Sequence, residues 1–528
     1  MVPAALPLLA LRPPLFPDAM ADCLTPEDLT AEHLSIARTA QDFWTAEVAP
    51  SLAAIQRKDP GVLLGVLRKS AELGFTGISI PERFGGMELD LASVMIIEEC
   101  FARDASYLVT HGAQAGIGAL PLIYFGTEEQ KSKYLPKLAN ATMIGAYALT
   151  EPQAGTDAMA IRTRADLSPD GKHYVLNGQK MWITNGGIAD LFTVFAKVGG
   201  EKFTAFLVER AYPGVTSGAE EHKMGLHGSS TTALYLDNVS VPVENVLGEV
   251  GRGHIIAFNV LNIGRLKIGP YAVGASKEVL ALSLAYARER KAFGKTIAEF
   301  GAIQHKLAEM AVRIFAVESM YWRVVGQIQQ ASAIKDLALE CSAVKVYASE
   351  AVGYVVDEGV QIHGGYGYHQ DYAVERFYRD ARIFRIFEGT NEINRVLILN
   401  QLMKRLDEGK IYFNMTGFLP ALEKFGSDFE NQQEVATALS DMVIEFFVIE
   451  SAWLRAQKLE AAGKGANAMD MFAVLQSDSE IRMGAPVRAL FGACGLDTPA
   501  RPSEVPVDTI MLRRKIARRL LDAGRYVV

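Results

Sequence analysis

The chain has 528 residues, enough for roughly two to four domains. It is 49% hydrophobic and 22% charged, which is typical of a globular protein with large cores, and its net charge of −8 gives no indication of nucleic-acid binding. The four cysteines lie far apart and form no CxxC pair. Neither a zinc site nor a disulfide framework is therefore predicted, and a reducing compartment is expected.

The first 25 residues are expected to form a disordered leader. Residues 1–20 are apolar but include five prolines, and the first basic residue is Arg12. Signal peptides and mitochondrial presequences carry basic residues earlier or more often, so neither is predicted, and Met20 is an alternative start. No segment is predicted to span a membrane, and a bacterial-type cytoplasmic location is expected.

Helical signals dominate residues 26–143, where Thr127 and Gln130 form a capping box before a helix. The period changes over residues 144–250. Short segments rich in β-branched and aromatic residues alternate there with turn signals such as SPDGK and VGGEK. This pattern predicts an all-β domain of about 100 residues within a helical protein.

Long helices return over residues 251–408, where segments 251–288, 299–330 and 333–359 predict an antiparallel bundle. Residues 409–528, the C-terminal extension, are predicted to be helical. The fold class is therefore multidomain α+β, with an N-terminal helical domain, a middle β-barrel or sandwich, a four-helix bundle and an extra helical domain. The elements do not alternate as βαβ units, which disfavours a Rossmann fold.

Two segments in the first half could carry chemistry, and each also has an ordinary structural interpretation. YALTEPQAGTD at 147–157 offers hydroxyls and backbone N–H groups to a polar ligand, or is a surface turn. KMWITNGG at 180–187 places Trp182 and Thr184 on one side of a strand. They suit a flat heteroaromatic ring, or Trp182 fills a core.

Three further segments lie in the second half. RERKAFGKTIAEFGAIQ at 288–304 offers a phosphate contact, or its basic residues complement a helix dipole. QIHGGYGYHQD at 361–371 permits close backbone approach, or caps a helix; its histidines have no partners at ligand spacing, so no metal site is predicted. In RIFEGTNEI, Glu388 is a solitary acid just before the predicted N-cap Thr390. It could carry chemistry, or it is an ordinary solvated carboxylate near a helix N-terminus.

Together and in this order, the five segments resemble the acyl-CoA dehydrogenase family over about residues 30–405. The C-terminal extension and VLNIGRLKIG at 260–269 resemble the very-long-chain branch. The resemblance implies an FAD enzyme that oxidises a long-chain acyl-CoA to trans-2-enoyl-CoA in fatty acid β-oxidation, passes electrons to an electron-transferring flavoprotein and forms a homodimer. An acyl-CoA oxidase and a low-activity assembly or scaffold protein remain alternatives.

The resemblance also assigns residues. Glu388 matches the catalytic base, whereas Gly264, where one subfamily keeps its base, cannot act as one. Thr156 stands where the family commonly has serine, and Arg290 and the loop 361–365 match parts that reach the FAD of a neighbouring subunit. The residues that match FAD contacts are Tyr147, Leu149, Thr150, Gly155, Thr156, Trp182, Ile183, Thr184, Arg290, Phe293, Gln304, Gln361, Gly364, Gly365, Thr390 and Asn391. Those that match acyl-CoA contacts are Thr156, Ser229 or Ser230, Asn262, Arg265 and Gly389.

The family role makes chemical sense of the solitary Glu388. The α-proton of a thioester is weakly acidic, so a carboxylate in water would barely remove it. An apolar cleft makes the carboxylate a stronger base, and hydrogen bonds to the thioester oxygen stabilise the developing enolate. The resemblance implies that these come from the backbone N–H of the glutamate and from a ribityl hydroxyl of FAD.

Two features have open interpretations. The small residues of HGAQAGIGALP at 111–121 either leave a deep pocket for a long acyl chain or allow close helix packing. The basic terminal helix either lies on an anionic membrane or packs within the protein or a dimer. Its basic residues are Arg513, Arg514, Lys515, Arg518 and Arg519.

Overall fold

The structure, a computed structural model, describes residues 23–330, 334–408, 419–498 except 427 and 430, and 507–528. Of the expected leader, only residues 23–25 are described. The chain divides into two compact units. Unit 1 comprises Met1–Leu29 and Ala275–Val528, and unit 2 comprises Thr30–Gly274.

The first part of unit 2 is helical, as predicted. Polar side chains begin its helices: Thr30 accepts a hydrogen bond from the backbone N–H of His33, and the predicted capping box of Thr127 and Gln130 is confirmed. A π-helical turn, Ala113–Ile117, follows the fifth helix. The helices are α1 (Ala31–Phe43), α2 (Ala49–Gln56), α3 (Val62–Glu72), α4 (Leu91–Phe101), α5 (Ala105–Gly112), α6 (Leu120–Phe125) and α7 (Glu128–Ala139).

The predicted middle β domain is confirmed as a mixed sheet. The strands are β1 (Gly145–Ala148), β2 (Arg164–Leu167), β3 (His173–Thr184), β4 (Leu191–Val198), β5 (Lys202–Glu209), β6 (Val215–Glu220), β7 (Thr231–Pro242) and β8 (Val246–Leu247). Their order is β6-β7-β3-β2-β4-β5-β8, and β1 pairs with β4 in parallel. Alternating residues such as Phe192, Val194 and Phe206 are fully buried and form the core of this domain.

The predicted long helices are confirmed. Helix α8 (Gly253–Glu289) includes the last residues of unit 2 and the first of this part of unit 1, and the hairpin β9 (Lys291–Ala292) and β10 (Lys295–Thr296) follows it. The remaining helices are α9 (Gly301–Gln330), α10 (Ala338–His363), α11 (Ala373–Ala381), α12 (Asn391–Asp407), α13 (Leu419–Phe425), α14 (Gln433–Ala461), α15 (Ala466–Cys494) and α16 (Thr509–Ala523).

The basic terminal helix α16 packs within unit 1. Ile516 and Leu520 on its apolar face are fully buried. Arg513 donates hydrogen bonds to Glu309 on α9 and to Asp478 on α15. This arrangement agrees with the intramolecular interpretation of the helix. Among the helices of the described ranges, none is long and apolar enough to cross a membrane.

Candidate functional site

Two of the segments predicted to line a flavin lie together in unit 2. The carbonyl of Thr150, just after β1, accepts a hydrogen bond of 2.9 Å from the backbone N–H of Met181 on β3. The carbonyl of Leu149 accepts one of 3.2 Å from Nζ of Lys180. The loop after β1 is therefore fastened to the end of β3, which carries residues 182–184.

A buried ion pair makes the same connection. Nζ of Lys180 lies 2.6 Å from Oε1 of Glu151, and the side chains are almost completely buried. The Glu151 carboxylate also accepts hydrogen bonds from the backbone N–H groups of Arg162 and Thr163. Burial favours a higher pKa for Glu151, but Lys180 and these donors hold it below its usual value. Burial lowers the pKa of Lys180 to about 8, against the opposing attraction of Glu151.

This pair was not predicted from the sequence. The signal was present, because Lys180 stands at a buried position of β3 between two partly buried residues, Gln179 and Met181. A lysine at such a position needs a buried partner. Which partner it finds depends on tertiary pairing, and spacing alone does not reveal it.

Trp182 does not fill a core, so that interpretation is wrong. Its side chain is 54% exposed, whereas the next residue, Ile183, is 2% exposed. The pairing of β3 with β7 shifts register between Lys180 and Ile183, and Trp182 has a left-handed backbone with φ of 60°. Bulges re-aim side chains, and non-glycine residues in this region are strained, a combination that is typical of functional sites.

The other predicted residues of the loop differ in exposure. Tyr147 on β1 and Leu149 just after it are buried, so little more than their backbone can meet a ligand. Gly155 and Thr156 are exposed, and a Cβ on Gly155 would meet nothing within 4 Å. Thr184, at the end of β3, is partly buried.

The residues predicted to contact the CoA moiety lie in two places in unit 2. On α8, the buried Arg265 donates a hydrogen bond of 2.7 Å to Oδ1 of Asn262, so the structure brings this predicted pair together. Ser229 is buried, and Nζ of Lys223 contacts both its hydroxyl and its carbonyl. Ser230 donates to Glu220 instead. Contacts of these residues with acyl-CoA stay predictions.

Helix α8 also fills the space beside two of the small residues near the predicted acyl tail. The hydroxyl of Tyr271 lies 2.3 Å from where a Cβ on Gly112 would stand, and Nζ of Lys267 lies 2.9 Å from the same point on Gly116. Lys267 pairs with the buried Glu98 at 2.7 Å. These two glycines are therefore explained by close helix packing, the second of the two interpretations.

In unit 1, the turn after α8 lies beside the loop after α10. The guanidinium carbon of Arg290 lies 5.8 Å from the ring centre of Tyr366. Gly364, with φ of 60°, ends α10, so the helix-capping interpretation holds for it. A Cβ on Gly364 or Gly365 would meet nothing within 4 Å, and Phe293 is 95% exposed. Two further residues of this group are Gln361, which is exposed, and Gln304, which donates to the carbonyl of Ala298.

The Glu388 segment has an unusual backbone. Glu388 and Gly389 both have left-handed conformations, with φ of 57° and 82°. Glu388 is partly buried and follows the rings of Phe384 and Phe387, which stack with centres 5.3 Å apart. Thr390 accepts a hydrogen bond from the backbone N–H of Ile393, which confirms the predicted N-cap of α12. An acid with apolar neighbours is thus held in a strained turn.

The side chain of Asn391 points into the helical bundle of unit 1. Asn391 is 3% exposed, and its amide oxygen accepts a hydrogen bond from Nζ of Lys345. Its amide nitrogen donates to Ser349 and to Glu350. These bonds use the hydrogen-bonding capacity of the amide, so any contact of Asn391 with a cofactor would come from its backbone. Lys345, a buried lysine of α10, was also not predicted from the sequence.

The exposed residues in each unit suit parts of a flavin dinucleotide. Unit 2 presents the flat surface of Trp182 beside Thr184, which suits a heteroaromatic ring. Unit 1 presents Arg290, whose planar fork suits a pyrophosphate, beside the open space at Gly364 and Gly365. The donor groups present therefore fit FAD.

Comparison with known proteins gives matches along most of the chain. The family described as acyl-CoA dehydrogenase, N-terminal domain, matches residues 30–142, and the middle domain of the same family matches residues 146–239. Two families that are both described as acyl-CoA dehydrogenase, C-terminal domain, match residues 251–403 and 410–486.

Individual proteins match as well. A probable acyl-CoA dehydrogenase of Bacillus subtilis is 40% identical over 96% of each chain. The very long-chain specific acyl-CoA dehydrogenase of rat mitochondria is 43% identical over 67% of this chain and 54% of its own length, so the match spans about half of that relative. The crystal structure of an acyl-CoA dehydrogenase of Bacillus anthracis, complexed with FAD, has a TM-score of 0.93 at 39% identity and covers 96% of this chain and 97% of that one.

Proposed function

This chain belongs to the acyl-CoA dehydrogenase family, and we propose that it converts a long-chain acyl-CoA to the trans-2-enoyl-CoA with Glu388 as the base. Members of the family are FAD-dependent oxidoreductases that act on the CH–CH bond of acyl-CoA. For this chain, the identity of the base, the acyl chain length and the redox partner are proposed in addition to these family properties.

The observation that carries the proposal is the strained turn at Glu388, which holds one partly buried carboxylate between Phe387 and Gly389 of the chain. Holding a non-glycine residue in this conformation costs about 1–3 kcal/mol, so the surrounding structure over-determines it. The carboxylate takes the α-proton, and its partial burial limits the water that would weaken it as a base. FAD, when bound, supplies the acceptor for the hydride that leaves the β-carbon.

Other residues bind and orient. In unit 2, Thr150, Thr156 and the pair Trp182 and Thr184 would contact the flavin, and Asn262 with Arg265 would contact CoA. In unit 1, Arg290 and Gly364 to Gly365 would contact FAD, and the resemblance assigns them to the FAD of a second subunit. Because Phe293 beside them is 95% exposed, this surface also suits a homodimer contact.

Side chains of α8 fill the space beside Gly112 and Gly116, so these glycines give no support for a deep acyl pocket. The proposed long-chain preference therefore rests on similarity to the very-long-chain branch. We propose that an electron-transferring flavoprotein accepts the electrons and that the reaction serves fatty acid β-oxidation, as the family resemblance implies. The domain boundaries and the cytoplasmic location stay predictions. The ion pairs of α16 leave membrane contact through that helix without support.

The test is anaerobic titration of the purified protein with acyl-CoAs from about four to about twenty carbons, because each methylene changes discrimination by a measurable factor. We expect long-chain substrates to bleach the flavin. Glu388→Gln should keep its flavin and slow bleaching by about 10²–10⁴-fold, the usual contribution of a general base. Glu434→Gln, an exposed residue of α14 in the same unit, is the matched control.

Other outcomes contradict the proposal in distinct ways. Bound flavin that no acyl-CoA reduces would refute it and favour a scaffold protein, as would purification without flavin. Rapid reoxidation by oxygen after substrate reduction would favour an acyl-CoA oxidase. Unchanged bleaching in Glu388→Gln would leave the family assignment standing and remove Glu388 from its role.

A further inference from the structure

The strained turn at Glu388 is held by side-chain hydrogen bonds to its backbone carbonyls. Nζ of Lys345 on α10 donates a hydrogen bond of 2.6 Å to the carbonyl of Gly389 and one of 2.7 Å to Oδ1 of Asn391. Lys345 is completely buried. The side-chain nitrogen of Asn394, one turn into α12, also donates to the carbonyls of Gly389 and Thr390.

Lys345 is therefore a buried cation whose donors are directed at the residue after Glu388. Bonds from a charged donor are shorter and roughly twice as strong as neutral ones. The carbonyl of Gly389 belongs to the peptide that joins Gly389 to Thr390, so its orientation depends on the left-handed backbone of Gly389, the residue directly after Glu388. The two hydrogen bonds of Lys345 thus favour the conformation that positions the carboxylate.

A chain of polar contacts continues from Asn391 towards the C-terminal extension. The amide nitrogen of Asn391 donates to Oε1 of Glu350 at 3.0 Å, and Nη1 of Arg395 lies 3.0 Å from the same oxygen. Nε of Arg395 then donates to Oδ1 of Asp441 at 2.6 Å. Asp441 lies on α14, within the C-terminal extension.

A second contact fastens the same point of α12. The hydroxyl of Ser440 donates to the backbone carbonyl of Arg395 at 2.6 Å. A cavity of about 260 Å³ adjoins the ion pairs and is lined by Glu350, Arg395 and Asp441 among others. The contacts of Arg395 with Ser440 and Asp441 fasten α12 to α14 beside this cavity.

From this geometry we propose that Lys345 is a positioning residue for Glu388, and that the C-terminal extension supports the same turn through Asp441, Arg395 and Glu350. The extension then contributes to the reaction without touching substrate or cofactor. The kinetic part rests on the proposed function, whereas the structural part can be measured without turnover.

The experiment compares the full-length flavoprotein with Lys345→Met, Lys345→Arg, Asp441→Asn and the control Glu434→Gln, which lies on the same helix as Asp441. Hydrogen–deuterium exchange of peptides covering residues 384–396 measures the order of the turn directly. Anaerobic stopped-flow with an acyl-CoA that bleaches the wild-type flavin gives the reduction rate constant and the substrate Kd separately. An α-deuterated substrate reports how far proton removal limits the rate.

We expect Lys345→Met to speed exchange over 384–396 and to lower the reduction rate constant by about 10²-fold at unchanged Kd, the cost of a misplacement near 1 Å. The isotope effect should grow, because proton removal becomes limiting. Lys345→Arg keeps the cation and should recover part of the rate. Asp441→Asn should give a smaller loss, of about three- to tenfold, since its ion pair is partly exposed.

Several results would overturn the proposal. Wild-type exchange and a wild-type rate per bound flavin in Lys345→Met would exclude a positioning role. If Asp441→Asn behaves as Glu434→Gln does, the contribution of the extension is excluded. If Lys345→Met does not fold, the exchange over residues 384–396 and the reduction rate constant are measured in Asp441→Asn and Glu350→Gln instead. Wild-type values in both variants would overturn the proposal. If no acyl-CoA reduces the wild-type flavin, the proposed function fails, and the exchange data alone judge this inference.

Discussion

Replacing Lys180 by methionine tests how the loop after β1 is held. The substitution keeps the apolar part of the side chain and removes the ammonium 2.6 Å from Glu151. The carboxylate, 3% exposed, then keeps the donors of Arg162 and Thr163 but loses its counter-ion. Removing one partner of a buried ion pair costs about 3–5 kcal/mol, and the remaining donors favour the lower end, about 3 kcal/mol.

The assay is hydrogen exchange at the peptide that contains residues 162 and 163, whose amides donate to Glu151. A loss of about 3 kcal/mol in the free energy of local opening speeds exchange by about 10²-fold, since each 1.36 kcal/mol is a factor of ten. Flavin affinity should fall with it, because Thr150 is attached to the same strand. Lys202→Met, an exposed lysine on β5 of the same sheet, is the control.

A double substitution separates the ion pair from general damage to the sheet. Lys180→Met with Glu151→Gln removes both charges, so no buried carboxylate is left without a counter-ion. We expect the two substitutions to couple by about 1–3 kcal/mol, with the double variant more stable than their sum predicts. The reasoning is refuted if Lys180→Met exchanges as Lys202→Met does, or if the two substitutions are additive.

Two other predictions concern buried ion pairs elsewhere. Burial favours a higher pKa for Glu98, but Lys267 and His111 lower this pKa from 4.5 to about 2. The ionised Glu98 therefore stabilises the folded protein fully above pH 4.5, and this contribution is lost as the pH falls towards 2. That shift corresponds to about 3 kcal/mol, and urea titrations should show a flatter acid limb in Glu98→Gln than in the exposed control Glu72→Gln. Arg513→Met should destabilise unit 1 by about 3 kcal/mol, because it removes the partner of the largely buried Asp478 and leaves Glu309 with only the more distant Arg313, whereas the exposed Arg518→Met should not. Equal urea midpoints for the two arginine variants would contradict this.

The sequence predicted what depends on local pattern. The period of apolar residues located α8, α9 and α10, and the capping box at Thr127 located α7. The candidate site residues were predicted from five ordered motifs whose sequences resemble those of a family. None of this required knowledge of which residues meet in space.

What the sequence could not predict depends on tertiary pairing and backbone strain. Trp182 stands in a strand pattern that suits a core residue equally well, and only the bulge in β3 turns it outward. The small residues at Gly112 and Gly116 suggest a pocket until Tyr271 and Lys267 are seen beside them. Nothing in the composition of α10 indicates that Lys345 contacts Gly389, since the two are 44 residues apart.

The buried lysines Lys180 and Lys345 share a physical role that bears on function. A buried pair is weak evidence for stability, because apolar residues of similar volume are often as stable or more so. Besides their side-chain partners, Lys180 and Lys345 also donate to backbone carbonyls, of Leu149 and Gly389, next to residues in the predicted flavin loop and at the predicted base. Apolar replacements could fill the same volume, but they could not select the peptide orientation that these carbonyls require. We infer that both lysines serve to fix backbone geometry, so their variants should lose rate and flavin affinity by more than they lose unfolding free energy.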